Sequence, residues 1–83
     1  MSTAIMDAQL RAAINADRVI ATRGCRGEAR QPNGVAVEQG ASVKGIWYWR
    51  NGAFELFVGG DGPIVAVDTV AEAVRYSRDH LCS

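Results

Sequence analysis

The sequence predicts an α+β fold: an antiparallel three- to four-stranded sheet flanked by an N-terminal and a C-terminal helix. Two stretches, 3–16 and 69–81, carry apolar residues at helical spacing. Between them, aromatic and β-branched runs flank Asn51-Gly52, a pair typical of a two-residue hairpin turn. A chain of 83 residues has room for one hydrophobic core, so we expect a single domain over 1–83 in the order α-β-β-β-α.

The first helix has a clear start and two alternative ends. Ser2 or Thr3 can cap it, because a hydroxyl can accept from the free N–H groups of the first turn. A stop near Ala16 leaves Arg18–Thr22 as a short strand, whereas a longer helix would end at Gly24. We favour the early stop. The apolar stripe consists of Met6, Leu10, Ala13 and Ile14.

The stretch from Arg23 to Gly34 is rich in glycine and polar residues, which is typical of a loop. Three arginines, Arg23, Arg26 and Arg30, concentrate positive charge in it. Such side chains can close on a phosphate backbone or on an acidic protein surface. They are therefore candidate partner-binding residues, unless the loop is simply solvated.

A short strand over Val35–Glu38 precedes the hairpin, whose register follows from its two-residue turn. Arg50 faces Ala53, Trp49 faces Phe54, and each earlier residue faces one later residue in turn. Because side chains alternate, the two faces of the hairpin differ in character. We expect one face in the core: Val43, Trp47, Trp49, Phe54, Leu56 and Val58. The other face carries Lys44, Ile46, Tyr48, Arg50, Glu55 and Phe57.

The second face of the hairpin has two interpretations. Either the first helix or the Val35–Glu38 segment covers it, or it is exposed. If it is exposed, Tyr48 and Phe57 with Arg50 at their edge have the composition of a protein-binding hot spot. Stacking of single-stranded bases on the two rings is a weaker alternative.

The C-terminal part predicts a further strand and a helix. Ile64–Val67 follows a turn made by Gly59-Gly60-Asp61-Gly62, and Thr69-Val70-Ala71-Glu72 is a capping box. From this start, an apolar face runs along the second helix, which we expect to cover the tryptophan face of the hairpin. Its members are Val70, Ala73, Val74, Ser77 and Leu81.

Composition excludes several classes of function. Nine basic and nine acidic residues give zero net charge, whereas nucleic-acid binders usually carry an excess of basic residues. One histidine, His80, and two distant cysteines, Cys25 and Cys82, supply neither a metal site nor a convincing catalytic pair. We expect two thiols, with a disulfide as the alternative. The sequence therefore predicts a non-enzymatic, cytoplasmic protein with no cofactor, metal or membrane association.

Two resemblances bear on function. The order helix, three strands, helix is similar to that of double-stranded-RNA-binding domains, whose second helix begins with phosphate-gripping lysines. Here that start reads Asp68-Thr69-Val70-Ala71-Glu72, which disfavours RNA binding in that mode. In size, and in the Gly45–Gly60 hairpin followed by the Asp68–Leu81 helix, the chain resembles the small accessory proteins of phages and mobile elements, anti-CRISPR proteins included.

That second resemblance implies a compact inhibitor that occludes a surface of a larger machine. The leading hypothesis is therefore a protein-binding module that sterically blocks a host protein or a ribonucleoprotein defence complex of the CRISPR type. It would use Tyr48, Arg50 and Phe57, or the Arg23–Arg30 loop. The alternatives are a nucleic-acid-binding protein that uses the same arginines, and a homodimer or other homo-oligomeric structural protein.

Overall fold

The computed structural model describes residues 2–83 and has an α+β fold. Five antiparallel strands lie side by side in chain order, and the helices pack on one side of this sheet. The sheet therefore has five strands, where three or four were expected. The helices are α1 (Thr3–Ala16), α2 (Arg18–Thr22) and α3 (Val70–Tyr76), with a π-helical turn over Ser77–Leu81. The strands are β1 (Cys25–Ala29), β2 (Val35–Gln39), β3 (Ser42–Arg50), β4 (Ala53–Phe57) and β5 (Pro63–Val67).

The first helix stops at Ala16, as expected, but a second short helix follows where a strand was favoured. Ser2 caps α1 by accepting from the Ile5 N–H at 3.2 Å. Asp17 interrupts the helix in an extended conformation and caps α2 by accepting from the Ile20 N–H at 2.9 Å. The β-branched residues of Arg18–Thr22 suggested a strand, but this cap decides the local structure in favour of a helix.

Strand β1 occupies part of the predicted loop, so that prediction is wrong for Cys25–Ala29. Its central residue, Gly27, is buried against α1, where a Cβ atom would lie 3.3 Å from Ile14 Cγ2. A glycine is needed here because the helix approaches the strand closely. The glycine and charged residues that suggested a loop thus belong to an edge strand beneath α1.

The central hairpin follows the predicted register throughout, from Arg50 opposite Ala53 to Ile46 opposite Phe57. Asn51 and Gly52 have φ values of 52° and 80°, as a type I′ turn requires. Strands β2 and β5 also form where short strands were expected.

Helix α3, the predicted C-terminal helix, begins as expected and ends differently. The Thr69 hydroxyl accepts from the Glu72 N–H at 3.1 Å, which is the expected cap. At Ser77 the helix widens into the π-helical turn, and the Cys82 N–H donates to the Ser77 carbonyl at 2.9 Å. The Ser77 hydroxyl is buried, where it accepts from Trp47 Nε1 at 2.9 Å and donates to the Ala73 carbonyl at 2.8 Å. Ser77 thus satisfies the indole N–H of the largest core residue.

The core lies between the sheet and the helical layer. It joins the apolar stripe of α1 to the inward side chains of the sheet, among them the fully buried Trp47, Phe54 and Leu56. Two expected core residues lie outside it, because Val43 and Val58 are 51% and 44% exposed. They lie at the end of the sheet, where Leu81 closes the helical layer and leaves an open groove of about 420 Å³. Within residues 2–83, none of the helices has the length and apolar run needed to cross a bilayer.

Candidate binding face

One side of the sheet carries no helix, and we call it the open face. The inward side chains of β2, β3 and β4 contact the helices, so by strand alternation Ala36, Ile46, Tyr48 and Phe57 point to the other side. No residue of this second set belongs to the core cluster formed by the described part of the chain, although Ala36 is itself buried. The expectation that α1 or the Val35–Glu38 segment covers this face is therefore wrong: α1 packs on the opposite side, and Val35–Glu38 lies within the sheet as β2.

Tyr48 and Phe57 lie together on the open face with Arg50 at their edge, as the hairpin register predicts. The Tyr48 and Phe57 rings meet edge to face, with centroids 5.3 Å apart and planes at 85°. The Arg50 guanidinium carbon lies 5.6 Å from the Tyr48 centroid and 5.2 Å from the Phe57 centroid, within the range of cation–π contacts. Arg50 Nε also contacts Glu55 Oε1 at 3.3 Å. These three predicted site residues form one connected cluster.

Tyr48 packs closely on Gly34, which has no side chain. A Cβ atom at Gly34 would lie 2.9 Å from Tyr48 Cε1, and the φ of 103° at this glycine is one that other residues rarely adopt. The backbone N–H of Gly34 donates to Asp7 Oδ2 at 2.9 Å, which anchors the turn to α1. The position of Tyr48 is thus set by the turn between β1 and β2 as well as by β3.

A second group of charges lies on the open face, on strands β1 and β2. Arg26 on β1 contacts Glu38 Oε1 at 2.7 Å and Glu28 Oε1 at 3.2 Å, and it also donates to the Gly40 carbonyl at 3.3 Å. The open face therefore has an apolar aromatic centre and a rim in which Arg26 and Arg50 each have a carboxylate partner.

The predicted arginine cluster does not form, because the three side chains have separate environments. Arg23 ends α2 and donates to the carbonyls of Arg78 at 2.7 Å and Cys82 at 3.2 Å, so it holds the C-terminal segment. Arg26 is engaged on the open face. Arg30 lies in the exposed turn after β1, where its backbone N–H donates to the Gly34 carbonyl at 3.0 Å. The prediction of a loop is therefore wrong for β1, which contains Arg26, and the binding role of the three arginines stays a prediction.

Cys25 and Cys82 form a disulfide bond, with Cα atoms 6.2 Å apart, so the expectation of two thiols is wrong. The pairing follows from the fold, because β1 lies under the end of the π-helical turn. The bond also leaves Cys25 unable to act as a nucleophile with His80. Among the side chains of residues 2–83, no group of three or more His, Cys, Asp or Glu residues is placed to hold a metal ion.

Asp17 has a structural role that the sequence pattern did not reveal. Its carboxylate accepts from the Ile20 N–H at 2.9 Å and from the Arg78 guanidinium at 3.0 Å. The backbone bond from Ile20 and the charge of Arg78 lower the pKa of Asp17, and burial opposes them. The sequence signal for this role is an aspartate, a common N-cap residue, directly before Arg18–Thr22. Its role is structural, since it ties α2 to the π-helical turn.

Comparison with known proteins returned no match to a family model, to a curated protein or to a solved structure.

Proposed function

We propose that the chain is a non-enzymatic protein-binding module and that the open face is its binding surface. The observation that supports this function is the contact between Tyr48 and Phe57, with Arg50 at their edge, on a sheet face without a helix over it. Protein interfaces are enriched in tyrosine, phenylalanine and arginine, and their energetic centre is an apolar patch inside a polar rim.

The rim of the open face favours a protein partner over nucleic acid. Arg26 lies against Glu38 and Glu28, and Arg50 lies against Glu55. These carboxylates would repel a phosphate backbone, and they reduce the counterion release on which phosphate binding depends. A protein surface with an apolar centre and charges of both signs fits this face better.

The resemblance in build to accessory proteins of phages and mobile elements suggests what such binding achieves. In this proposal the chain is an inhibitor that covers a site which a larger host protein or ribonucleoprotein complex needs for its own partner. The action is steric and needs no chemistry from the chain. Cytoplasmic location is part of the same proposal.

A comparative capture experiment tests the proposal. The tagged chain, a Tyr48→Ala/Phe57→Ala variant and an Ile5→Ala/Val19→Ala control would each be incubated with host lysate, one half treated with nuclease and the other half untreated. Ile5 and Val19 are 49% and 41% exposed on the helices, so the control removes apolar surface from the opposite side. We expect a defined protein to bind the parent and the control but not the double variant. Loss of one hot-spot residue costs about 2 kcal/mol or more, which is about 30-fold in affinity.

Two results would contradict the proposal. One is equal retention of the captured protein by the Tyr48→Ala/Phe57→Ala variant, provided that its melting curve shows a folded domain. The other is capture that disappears when the lysate is treated with nuclease, which would indicate nucleic acid as the partner.

A further inference from the structure

The two edges of the sheet differ in their hydrogen bonding, and a side chain closes the edge at β1. The Asn15 side chain on α1 donates to the Gly27 carbonyl at 3.0 Å and accepts from the Gly27 N–H at 2.8 Å. A side-chain amide thus takes the place that a sixth strand would occupy. Unpaired strand edges are templates for pairing with another chain, and proteins commonly block them in such ways.

The hydrogen-bond pattern of the sheet shows which groups point out of the other edge, at β5. In a two-residue hairpin the residues next to the turn, Arg50 and Ala53, form a hydrogen-bonded pair, and such pairs alternate along antiparallel strands. If this alternation continues through β2 to β1, the N–H and C=O of Gly27 point outward from the sheet. Asn15 binds both of these groups. If the same alternation continues from β4 to β5, Glu55 and Ala66 form a non-hydrogen-bonded pair.

The N–H and C=O of Ala66 therefore point away from β4, towards the outer edge of β5. Ala66 is exposed, and within residues 2–83 no side chain closes this edge as Asn15 closes that of β1. The strand Pro63–Val67 contains no charged residue, and its Ile64 side chain is 58% exposed. Proline at the first position of the strand is compatible with an edge, and it does not block the outward N–H and C=O of Ala66.

Charge decides what kind of strand this edge accepts. Asp61 and Asp68 lie just before and just after β5, and neither forms an ion pair within the described residues. Antiparallel pairing of β5 with β5 of a second copy, centred on Val65, would bring Asp61 of one chain close to Asp68 of the other, at both ends. Like charges placed opposite each other destabilise a strand pair. The complementary partner is a strand with basic residues at both ends.

We propose that the outer edge of β5 binds an extended peptide segment with an uncharged, β-branched centre and a basic residue at each end. The segment adds a sixth strand through the N–H and C=O of Ala66, and its basic ends lie near Asp61 and Asp68. Main-chain hydrogen bonds then supply affinity, while the end charges supply selectivity. This site is separate from the open face and does not depend on the function proposed for it.

The probe is the synthetic peptide Lys-Thr-Val-Thr-Val-Thr-Val-Lys, with Glu-Thr-Val-Thr-Val-Thr-Val-Glu as its matched control. Fluorescence anisotropy of the labelled peptides would give their affinities for the full chain at low and moderate salt. We expect the lysine peptide to bind at least about tenfold more tightly at low salt, because each end gains an attraction that the glutamate peptide replaces with repulsion. Binding should also slow hydrogen exchange at the Ala66 amide. Equal affinity for both peptides would overturn the proposal.

Two sets of variants locate the binding. Ala66→Pro removes the outward N–H and should weaken binding of the lysine peptide about tenfold or more, whereas Ala66→Val keeps the N–H and should bind like the parent. An Asp61→Lys/Asp68→Lys variant should prefer the glutamate peptide, and this result remains informative even if Ala66→Pro fails to fold.

Several outcomes would overturn the inference. Full binding by a folded Ala66→Pro variant would show that the edge is not used. Binding lost in Tyr48→Ala/Phe57→Ala but kept in Ala66→Pro would assign the peptide to the open face. A concentration-dependent dimer that Ala66→Pro disrupts would assign the edge to a second copy of the chain.

Discussion

At the scale of single residues, a few polar side chains complete hydrogen bonding that the backbone leaves open. Asn15 pairs with both backbone groups of Gly27, Ser77 satisfies the buried indole N–H of Trp47, and Asp17 caps α2. Each of these side chains connects two elements that are distant in sequence or differ in kind. Replacing one should therefore cost stability, because it leaves the polar groups that it binds without a partner.

Asn15→Ala tests the closure of the β1 edge. The variant loses two hydrogen bonds worth about 1 kcal/mol each and gains about 0.5 kcal/mol of helix propensity, so we expect a net loss of about 1.5 kcal/mol. Urea unfolding would measure it. Gln9→Ala, an exposed change on the same helix, is the control and should be nearly neutral. Equal stabilities of the two variants would contradict the role of Asn15.

Asp17 predicts a specific dependence of stability on pH. Its pKa is lowered in the folded chain from an ordinary value of 3.8, so its stabilising contribution is complete above that value. The contribution is lost as the pH falls below 3.8 through the lower folded pKa. Asp17→Asn keeps a capping oxygen but not the charge that binds Arg78. The free energy of unfolding of this variant should therefore fall less between pH 6 and pH 2 than that of the parent. Parallel pH profiles would show that Asp17 does not titrate in this way.

At the scale of elements, local chemistry predicts some segments of this chain completely. Asn51-Gly52 sets the hairpin register, and that register brings Tyr48, Phe57 and Arg50 together, so the centre of the candidate site follows from the sequence. The capping box at Thr69 does the same for the start of α3. In these segments the local signal and the tertiary packing agree.

Other elements depend on contacts that a linear pattern does not reveal. Strand β1 has little β propensity, and it forms because α1 packs on Gly27 and Asn15 pairs with it. Helix α2 forms although its residues favour strands, because Asp17 caps it and Arg78 binds the cap. The arginine loop was expected on the same local reasoning. It failed because β1 places Arg26 on the open face and α2 places Arg23 beside Cys82.

Gly34→Ala tests how the turn between β1 and β2 positions the candidate site. An added Cβ would meet the Tyr48 ring, and the positive φ would be strained, so we expect a loss of about 1–2 kcal/mol and a displaced ring. Melting curves and nuclear Overhauser effects between Tyr48 and Phe57 would measure both effects. Gly60→Ala is the control, since a Cβ there meets no atom within 4 Å. An unchanged Tyr48–Phe57 contact in Gly34→Ala would contradict the proposed role of the glycine.

At the scale of the whole molecule, the C-terminal segment is fastened to the N-terminal half at three points. Cys82 is bonded to Cys25, Arg23 donates to the carbonyls of Arg78 and Cys82, and Arg78 binds Asp17. All three contacts join the π-helical turn to the region around α2 and the start of β1. They fix the C-terminal segment to the N-terminal half of the same domain.

The disulfide should supply a large part of the stability of a domain this small. The bonded cysteines are 57 residues apart, and the loop-entropy relation for a loop of that length gives about 4 kcal/mol. We expect Cys25→Ala/Cys82→Ala to lose stability on this scale in urea unfolding, and to be insensitive to dithiothreitol. The parent should approach the same stability when reduced. A variant as stable as the oxidised parent would contradict the contribution of the bond.

The same bond bears on where the protein functions. Disulfides are uncommon in the cytoplasm of most organisms, so the proposed cytoplasmic location requires that this bond survive the cellular reductants. Cys25 and Cys82 are buried, with 6% and 0% of their surfaces exposed. A reductant therefore reaches the disulfide only when the C-terminal segment opens. Alkylation of protein taken directly from its source cells would show which state is present.

The open face affects how the chain can change over generations. Its outward residues alternate with the core residues along the same strands, so folding and recognition are encoded at different positions of one short sequence. Ile46, Tyr48, Glu55 and Phe57 can therefore vary without altering the side chains that pack beneath the helices. A lineage under pressure from a changing partner could exchange its specificity while keeping its scaffold, and a library randomised at these positions could do the same in the laboratory.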